Sequence, residues 1–529
     1  MPGSSEIPSL WRPFHTPIFR NLLLASVVSD IGAFMQTVGA AWLMVSLKAG
    51  PMYVALTQTA SALPFFIFAL PAGAIGDIVD RRKLILYTES WMVGVALALA
   101  ALTLAGFVSP LPLLILTFAL SAGDAFESPS WRAVLPDLVK KEDLPAASAL
   151  NGIEFNFARA VGPGLAGLLI AAAGAGSAFL LNAVSFIGVI FVVARWKPAL
   201  KTRTIPPETV RGATVAAIRY VRYSPAIRIL LSRSGLVMFF ASGLLALLPS
   251  LALIVKNNPT AYGLLLGCFG LGAVLGALVM QRARSRWSTE AVVSGGVVVF
   301  GLATLAISIL RSLPALSAVM LLAGSAWIVF LSLFNVLVLD RAPDWVRARV
   351  LAISTLVFQG AIAAGSAAWG AFAARFGIGD ALLCAGAGTI ATTALAPFLR
   401  LRDTTVNLTS WNHWRLPATE DQAVPTDDDF GPVLVTVEYQ VASEEAAEFL
   451  AAVRQHGRIR RRDGARSWGI FRDMENANRF VETFVVASWA EHLRQHERLT
   501  LADRDAEERV QRYVRSESKV RHLISVARR

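Results

Sequence analysis

The sequence predicts an all-α polytopic membrane protein, twelve transmembrane helices in two pseudo-symmetric six-helix halves, followed by a small soluble α+β domain. Three observations predict it. Hydrophobic residues make up 55% of the 529 positions and charged residues only 16%, where a soluble globular protein carries about 25% charged residues. Twelve apolar runs are long enough to cross the hydrocarbon core of a bilayer, which takes roughly 20 residues of helix. Near residue 401 the composition turns soluble and stays so.

The runs are 21–46, 52–75, 84–107, 110–129, 150–173 and 177–195, then 226–254, 260–281, 290–310, 314–337, 349–373 and 379–400. The long polar connection 196–225 falls after the sixth. It divides the membrane part into halves 1–195 and 226–400, with a linker at 401–430 and the soluble domain at 431–529. The stretch 276–284, "GALVMQRAR", follows the eighth run as "GAIGDIVDR" (73–81) follows the second, which supports a repeat of six spans. Cys268 and Cys384 both sit inside apolar runs, so neither a disulfide framework nor a zinc site is predicted.

A formal charge of +12 raises the prospect of nucleic acid, but its distribution removes that support. Residues 401–529 hold 20 bases and 21 acids, leaving 29 bases against 16 acids in the apolar part. There, loop bases orient a protein in the bilayer. One set of connections holds Lys48, Lys256, Arg311 and Arg375; the other holds 22 Lys and Arg. That asymmetry predicts both termini in the cytoplasm. The first twenty residues lack a signal peptide's pattern and read as a retained cytoplasmic leader, with Trp11, Phe14 and Phe19 suited to the interface.

Beyond the linker, "VLVTVEYQV" (433–441) alternates as a strand, and a helix follows with Ser443 as N-cap and Gly464 as stop. "RSWGIFRDM" and "RFVETFVVAS" read as strands, and 489–514 as one or two helices. A β-α-β-β-α order of this size predicts a ferredoxin-like unit.

Chemistry concentrates in "GAIGDIVDRRKLIL" (73–86), a charged turn with apolar sequence on both sides. Orientation alone accounts for Arg81, Arg82 and Lys83. It does not account for Asp77 and Asp80, because acids contribute little to topology. The turn resembles the loop between spans two and three of the major facilitator superfamily, Gly-x-x-x-Asp-(Arg/Lys)-x-Gly-(Arg/Lys)-(Arg/Lys). Gly73, Asp77, Arg81 and Arg82 fall on that pattern, Ile78 replaces a base and Asp80 replaces the second Gly. The resemblance implies a conformational latch: the Asp docks on the amino end of span eleven and the bases pair with acids of span four, here Asp124 and Glu127.

A narrower resemblance covers nearly the whole chain. Residues 126–186, from "FESPSWRAVLPDLVKKEDL" to "LLNAVSF", are similar to the bacterial transmembrane secretion effectors, related to exporters of the siderophore enterobactin. Asp80 is a trait of that subfamily, as is a soluble extension like "WGIFRDMENANRFVETFVVASWAEHLRQHERLT". The resemblance implies a secondary active exporter of small amphipathic molecules in the bacterial inner membrane, working by alternating access and coupled to protons. It implies no cofactor and no catalytic residues. No nucleotide-binding loop of the P-loop type occurs to drive an ATP pump.

In span five, Gly162, Pro163, Gly164 and Gly167 match the Gly-Pro motif of drug–proton antiporters in that superfamily, although ordinary small-residue packing accounts for them equally well. The Gly263/Gly267 and Gly272/Gly276 pairs of span eight read as packing alone. Ionisable groups within spans are functional candidates: Asp30 for proton or cation coupling, Glu154 and Arg159 either snorkelling or paired near the cytoplasmic face, and Asp30, Arg233 and Gln359 toward a central cavity. The signature Arg of antiporters in span four is absent, since no Arg lies between Pro110 and Ser130. In the soluble domain, His492 and His496 share a helix face, and a solvated or dimer-facing helix is expected there in preference to a metal pair. The domain also resembles antibiotic-biosynthesis monooxygenases, which leaves two alternatives to a passive tail: a small-molecule-modifying enzyme, or a dimerisation or regulatory module.

Overall fold

The computed structural model describes residues 11–196, 210–401, 407–409, 411 and 431–525. Six helices form the first half: α1 Pro17–Ser46, α2 Gly50–Ile78, α3 Arg81–Leu104, α4 Pro110–Leu138, α5 Leu144–Ala173 and α6 Ala175–Arg195. A short helix, α7 Val210–Tyr223, precedes the second six: α8 Pro225–Lys256, α9 Pro259–Arg286, α10 Thr289–Ile309, α11 Leu313–Arg341, α12 Asp344–Phe376 and α13 Ile378–Ala391. Each expected span falls on one of these twelve helices, and with a 3-10 turn at Thr392–Leu395 continuing α13 all twelve are long and apolar enough to cross a membrane. Prolines at the first turn open α1, α4, α5 and α9, where the missing N–H would have no helical partner. Gly174, at φ +77°, is all that separates α5 from α6, a turn that a side chain would strain.

Two expectations change. Residues 196–225 are not all loop, because α7 lies within them; its face of Ala216, Ala217 and Tyr220 recurs at helical spacing and is buried. The helices also overrun the apolar runs at the end bearing the α2–α3, α4–α5 and α11–α12 turns, the basic end. Helix α4 continues to Leu138 instead of stopping near 129, since hydropathy marks the hydrocarbon layer while backbone hydrogen bonding continues past it.

The chain forms two compact units. The first comprises Met1–Ile205, Leu231–Asn335 and Ala352–Asp403; the second comprises Pro206–Leu230, Val336–Leu351 and Thr404–Arg529. Three of the boundaries between them fall inside α8, α11 and α12.

In the first unit the two halves meet along glycine seams. On α5 and α9, a methyl group on Gly263 would lie 2.5 Å from the Pro163 carbonyl oxygen and 2.9 Å from Gly167 Cα, and one on Gly270 would lie 2.7 Å from the Arg159 carbonyl. On α2 and α12, Gly360 rests against the Phe66 ring, Gly370 against Ala55, and Thr59 Oγ1 donates to the Ala363 carbonyl at 3.0 Å. Within the second half, Gly272 and Gly276 admit the backbone of α11 at Leu321 and Ser325. Pro163, Gly167 and Gly263 on α5 and α9, and Ala55, Thr59, Ala363 and Gly370 on α2 and α12, lie remote from the basic end, while Gly270 with Arg159 and Gly360 with Phe66 meet near mid-helix. Phe19, expected at the interface, is 2% exposed and packs with Leu22, Ile85 and Val134, while Trp11 is open.

In the second unit, β1 Val433–Gln440, α14 Ala446–Asp463, β2 Ser467–Arg472, β3 Arg479–Val486, α15 Trp489–Glu497, α16 Leu501–Gln511 and β4 Lys519–Ile524 fold as one domain. Its antiparallel sheet has the order β2-β3-β1-β4, which completes the expected ferredoxin-like unit with a fourth strand. Val433, Val435, Val437, Phe449, Phe480 and Phe484 fill its core. Gly464 ends α14 as expected, at φ +156°. Ser443 does not cap it, because a 3-10 turn at Ser443–Glu445 intervenes and the Ser443 hydroxyl bonds Asn478. The Asp427–Asp429 run of the linker lies outside the described residues.

His492 overturns the expectation of a solvated helix face. It is 2% exposed, its Nε2 lies 3.1 Å from that of His496, and its ring packs with Trp489 and His522. The apolar stripe of α15 is simply too short to announce which histidine turns inward.

Two predictions follow from this packing. Overfilling a core costs about 1–3 kcal/mol, so Gly263→Leu should lower the thermal midpoint of the detergent-purified protein. Gly164→Ala, a position with nothing within 4 Å, should leave it unchanged. The second concerns acid. Burial, then Arg460 nearby, pulls His456 down to about 4, with Glu482, Asp503 and Arg462 also facing it. Burial, then His496 and His522, pulls His492 down to about 3, with Arg460 and Gln495 adjacent. Both values lie below about 6.5 for an unfolded histidine. The stability they favour is therefore intact above pH 6.5 and lost as pH falls toward 4 and 3, at about 1.4 kcal/mol per unit for each. Hydrogen-exchange protection of β1 and β3 should fall between pH 7 and pH 5, and His492→Phe should flatten that slope.

Candidate functional site

The charged turn is built from helix caps. Asp80 precedes α3 and its carboxylate accepts from Lys83 N–H at 3.2 Å, an N-cap bond that satisfies one orphan donor of the helix. Arg82 donates through Nε to the Val193 carbonyl at 3.1 Å and through Nη2 to the Ala194 carbonyl, capping the end of α6, where cations are favoured. Arg81 pairs with Asp137 on α4, Nη1 to Oδ2 3.0 Å. The acid is thus Asp137, where Glu127 and Asp124 were expected. Asp137 sits in the last turn of α4, and Asp124 lies thirteen residues earlier, about 20 Å along the helix. Placing the end of span four near 129 made the deeper acids look terminal. Gly73 approaches nothing within 4 Å, so it permits no close helix contact, and the Asp77 side chain lies outside the described residues.

The deeper acids form pairs. Glu127, 7% exposed, accepts from Thr88 Oγ1 at 2.9 Å and lies within hydrogen-bonding reach of Glu89. Glu89 is 3% exposed, and its Oε2 has no donor among the described residues. On α1 and α5, the Asp30 carboxyl meets that of Glu154, whose Oε1 likewise lacks a donor. Asp124, Glu127 and Asp30 are near enough to act on Glu89 by charge. Four helices of the first half therefore turn carboxyls toward one region. Counted from the basic ends of their helices, Asp30, Glu89, Glu127 and Glu154 lie about 12–20 Å in. A cleft lined by Ser26, Trp131, Leu135, Asn151 and Glu154 reaches this group. Glu89 was missed in the sequence because it stands five residues into an apolar run that opens on "LILYTES", where it looked like a span edge.

The other candidates disperse. Arg159 does not pair with Glu154; its guanidinium stacks on Phe155 at 4.8 Å. Arg233 does not face a cavity. It is 2% exposed and donates to Glu290 Oε2 at 2.7 Å and Ser294 Oγ at 2.8 Å on α10, while Glu290 also accepts from Leu401 N–H at 2.9 Å. Gln359 is half-buried on α12 beside Gly360 of the α2 seam. In the glycine motif, Gly162 rests on Phe34 of α1 and Gly167 on α9, while Gly164 faces open space.

A twelve-helix bundle in two six-helix halves is the fold of secondary transporters of the major facilitator type. Solved structures share the fold. A bacterial homologue of the human lysosomal transporter Spinster, inward-facing, matches with TM-score 0.58 and 14% identity, over 75% of this chain and 96% of that one. A nucleoside transporter matches with TM-score 0.57 and 12% identity, over 72% and 98%. The chain belongs to the transmembrane secretion effector family, whose profile matches residues 8–529. It is 25% identical over 347 residues to a multidrug efflux pump of Mycolicibacterium fortuitum, 63% of this chain and 83% of the relative. It is 24% identical over 396 residues to a staphyloferrin A transporter of Staphylococcus aureus, 74% and 98%, and 28% over 269 residues to an enterobactin exporter of Salmonella typhi, 50% and 63%. The protein is a multi-pass membrane transporter, its twelve-helix part a secondary transporter and not an enzyme.

The Arg233 ion pair yields a test. Breaking one side of a buried pair costs about 3–5 kcal/mol, whereas replacing both partners with apolar residues is often neutral. Arg233→Met alone should lower the thermal midpoint strongly, and adding Glu290→Met should recover much of the loss.

Proposed function

We propose that the chain exports an amphipathic, siderophore- or drug-like molecule across the bacterial inner membrane in exchange for protons, with both termini in the cytoplasm. The names of its relatives support the substrate class, and the excess of bases on one set of connections supports the orientation. The observation that carries the coupling is the contact of carboxyl with carboxyl, Asp30 with Glu154 and Glu89 with Glu127.

Two carboxyls in contact and away from water are held together by a proton between them. When it leaves, two like charges about 4 Å apart repel by about 4 kcal/mol at an effective dielectric of 20. About 5.5 kcal/mol moves a two-state equilibrium from 1:99 to 99:1, so one pair supplies most of a conformational switch and two supply enough. The pairs join α1 to α5 and α3 to α4, so proton occupancy becomes helix spacing. Contacts between halves at the end remote from the basic loops suit a state that receives substrate from the cytoplasm. Asp77 completes the reading as a latch residue, carried by a turn that Arg81 and Arg82 clamp to α4 and α6.

The test is uptake into inverted vesicles with an imposed pH gradient, using ethidium and a catecholate siderophore as probes. Wild type should accumulate at least one probe when the gradient is present. Asp30→Asn and Glu127→Gln should each cut gradient-driven uptake at least tenfold and leave downhill movement intact. Equal uptake by all three proteins with and without the gradient would sink the coupling, and movement of neither probe would sink the substrate class.

A further inference from the structure

The soluble domain grips α7 and the first turn of α12. From α7, Arg219 reaches into the domain, with Nη2 on Glu491 Oε1 at 2.9 Å, Nε on the Arg462 carbonyl at 3.3 Å and Nη1 on the Gly464 carbonyl at 3.4 Å. Glu491 is shared with Arg498, whose Nη1 lies 2.7 Å from the same oxygen and 2.5 Å from the Asp463 carbonyl. Next to this triad stand two aromatic rings from outside the domain. Tyr220 of α7 meets Trp345 edge to face, centroids 5.7 Å apart at 88°. Arg462 covers the Tyr220 ring at 5.5 Å and Arg498 covers the Trp345 ring at 4.7 Å. The Tyr220 hydroxyl donates to the Arg341 carbonyl at the end of α11, 3.0 Å.

The order of contact is guanidinium, ring, ring, guanidinium, with the rings edge to face and both cations supplied by the soluble domain. Arg462 is itself fixed by Asp463 and Asp503, at 2.7–3.0 Å. Tyr220 is 3% exposed and Arg498 4% exposed. A cation on an aromatic face gains strength when desolvated, and Glu491 faces two guanidinia, so the joint is a fitted socket and not a passing surface contact. Burial opposes it, but Arg498 and Arg219 hold the Glu491 carboxyl below the usual carboxylate range.

Trp345 lies in the first turn of α12. The same helix carries Gly360, Ala363 and Gly370, the residues of the α2 seam. Trp345 and Ala363 are eighteen residues apart, about 27 Å of unbroken helix. We infer that the soluble domain is a positioning element of the transport cycle: through Arg219, Tyr220 and Trp345 it binds α7, the connection between the halves, to the first turn of α12, so that the second half swings only with α7 and the domain attached. The inference rests on alternating access and not on proton coupling.

The experiment uses the full chain in proteoliposomes. Arg219→Ala and Trp345→Ala lie outside the sheet and its helices. Each should leave hydrogen-exchange protection of β1 and β3 at the wild-type level, raise exchange at 344–350 at least tenfold, and cut turnover of the transported probe at least fivefold. The half-saturating concentration should stay within twofold, because the substrate site is untouched. Arg219→Lys, which keeps the charge opposite Glu491, should recover most of the turnover. Wild-type turnover with 344–350 deprotected overturns the inference, and so does wild-type protection at 344–350. If sheet protection also falls in the alanine variants, Arg219→Lys carries the test, and failure to recover turnover with the sheet intact overturns the inference. Turnover is read with and without a pH gradient, so loss of gradient dependence in wild type removes proton coupling and leaves this inference standing.

Discussion

Hydrocarbon offers a transmembrane helix no reason to leave lipid for another helix, since lipid tails are as apolar as leucine. Association must come from contacts that lipid cannot imitate, chiefly backbone against backbone. The α5–α9 seam obeys that constraint closely, while the α2–α12 seam sets its glycines against side chains. Gly263 and Gly270 on α9 face the carbonyls of Pro163 and Arg159, and Gly360 and Gly370 on α12 face Phe66 and Ala55. Glu154, the start of the capped turn and the braced helix stand on α5, α2 and α12, helices that these approaches hold.

The same scarcity of polar partners explains why the acids pair with each other. A soluble protein would give Glu89 or Glu154 water or an arginine. Here the arginines are committed: Arg233 to Glu290, Arg81 to Asp137, Arg82 to the end of α6. Arg159 lies over a phenyl ring. The soluble domain inverts this pattern, with Arg460 and Arg498 buried and Arg462 half-buried among carboxylates and rings.

The fold was legible in the sequence because its determinants are collective. Twelve apolar runs, a polar divide at 196–225 and a one-sided excess of bases do not depend on any single residue. Partners were less legible. Asp137 was overlooked because the helix outlasts its apolar run, and Glu290 because it stands at the edge of one. Strand β4, "KVRHLI", alternates charge with apolar residues over too short a length to stand out. Pairing between α7 and the soluble domain depends on contacts more than 200 residues apart in the chain, which no local pattern encodes. What the motif "GPGLAG" does became clear only opposite Gly263, a residue the sequence had assigned to packing without a partner.

A seam made of backbone has one more consequence, for how such a protein can change over generations. Main-chain atoms are the same whatever side chains flank them, so the Gly263 and Gly270 seam asks nothing of the residues that line the path of the cargo. Those residues are free to drift toward new shapes and polarities while the seam stays closed. A lineage built this way can acquire a different cargo by small steps without first relearning how to open and close.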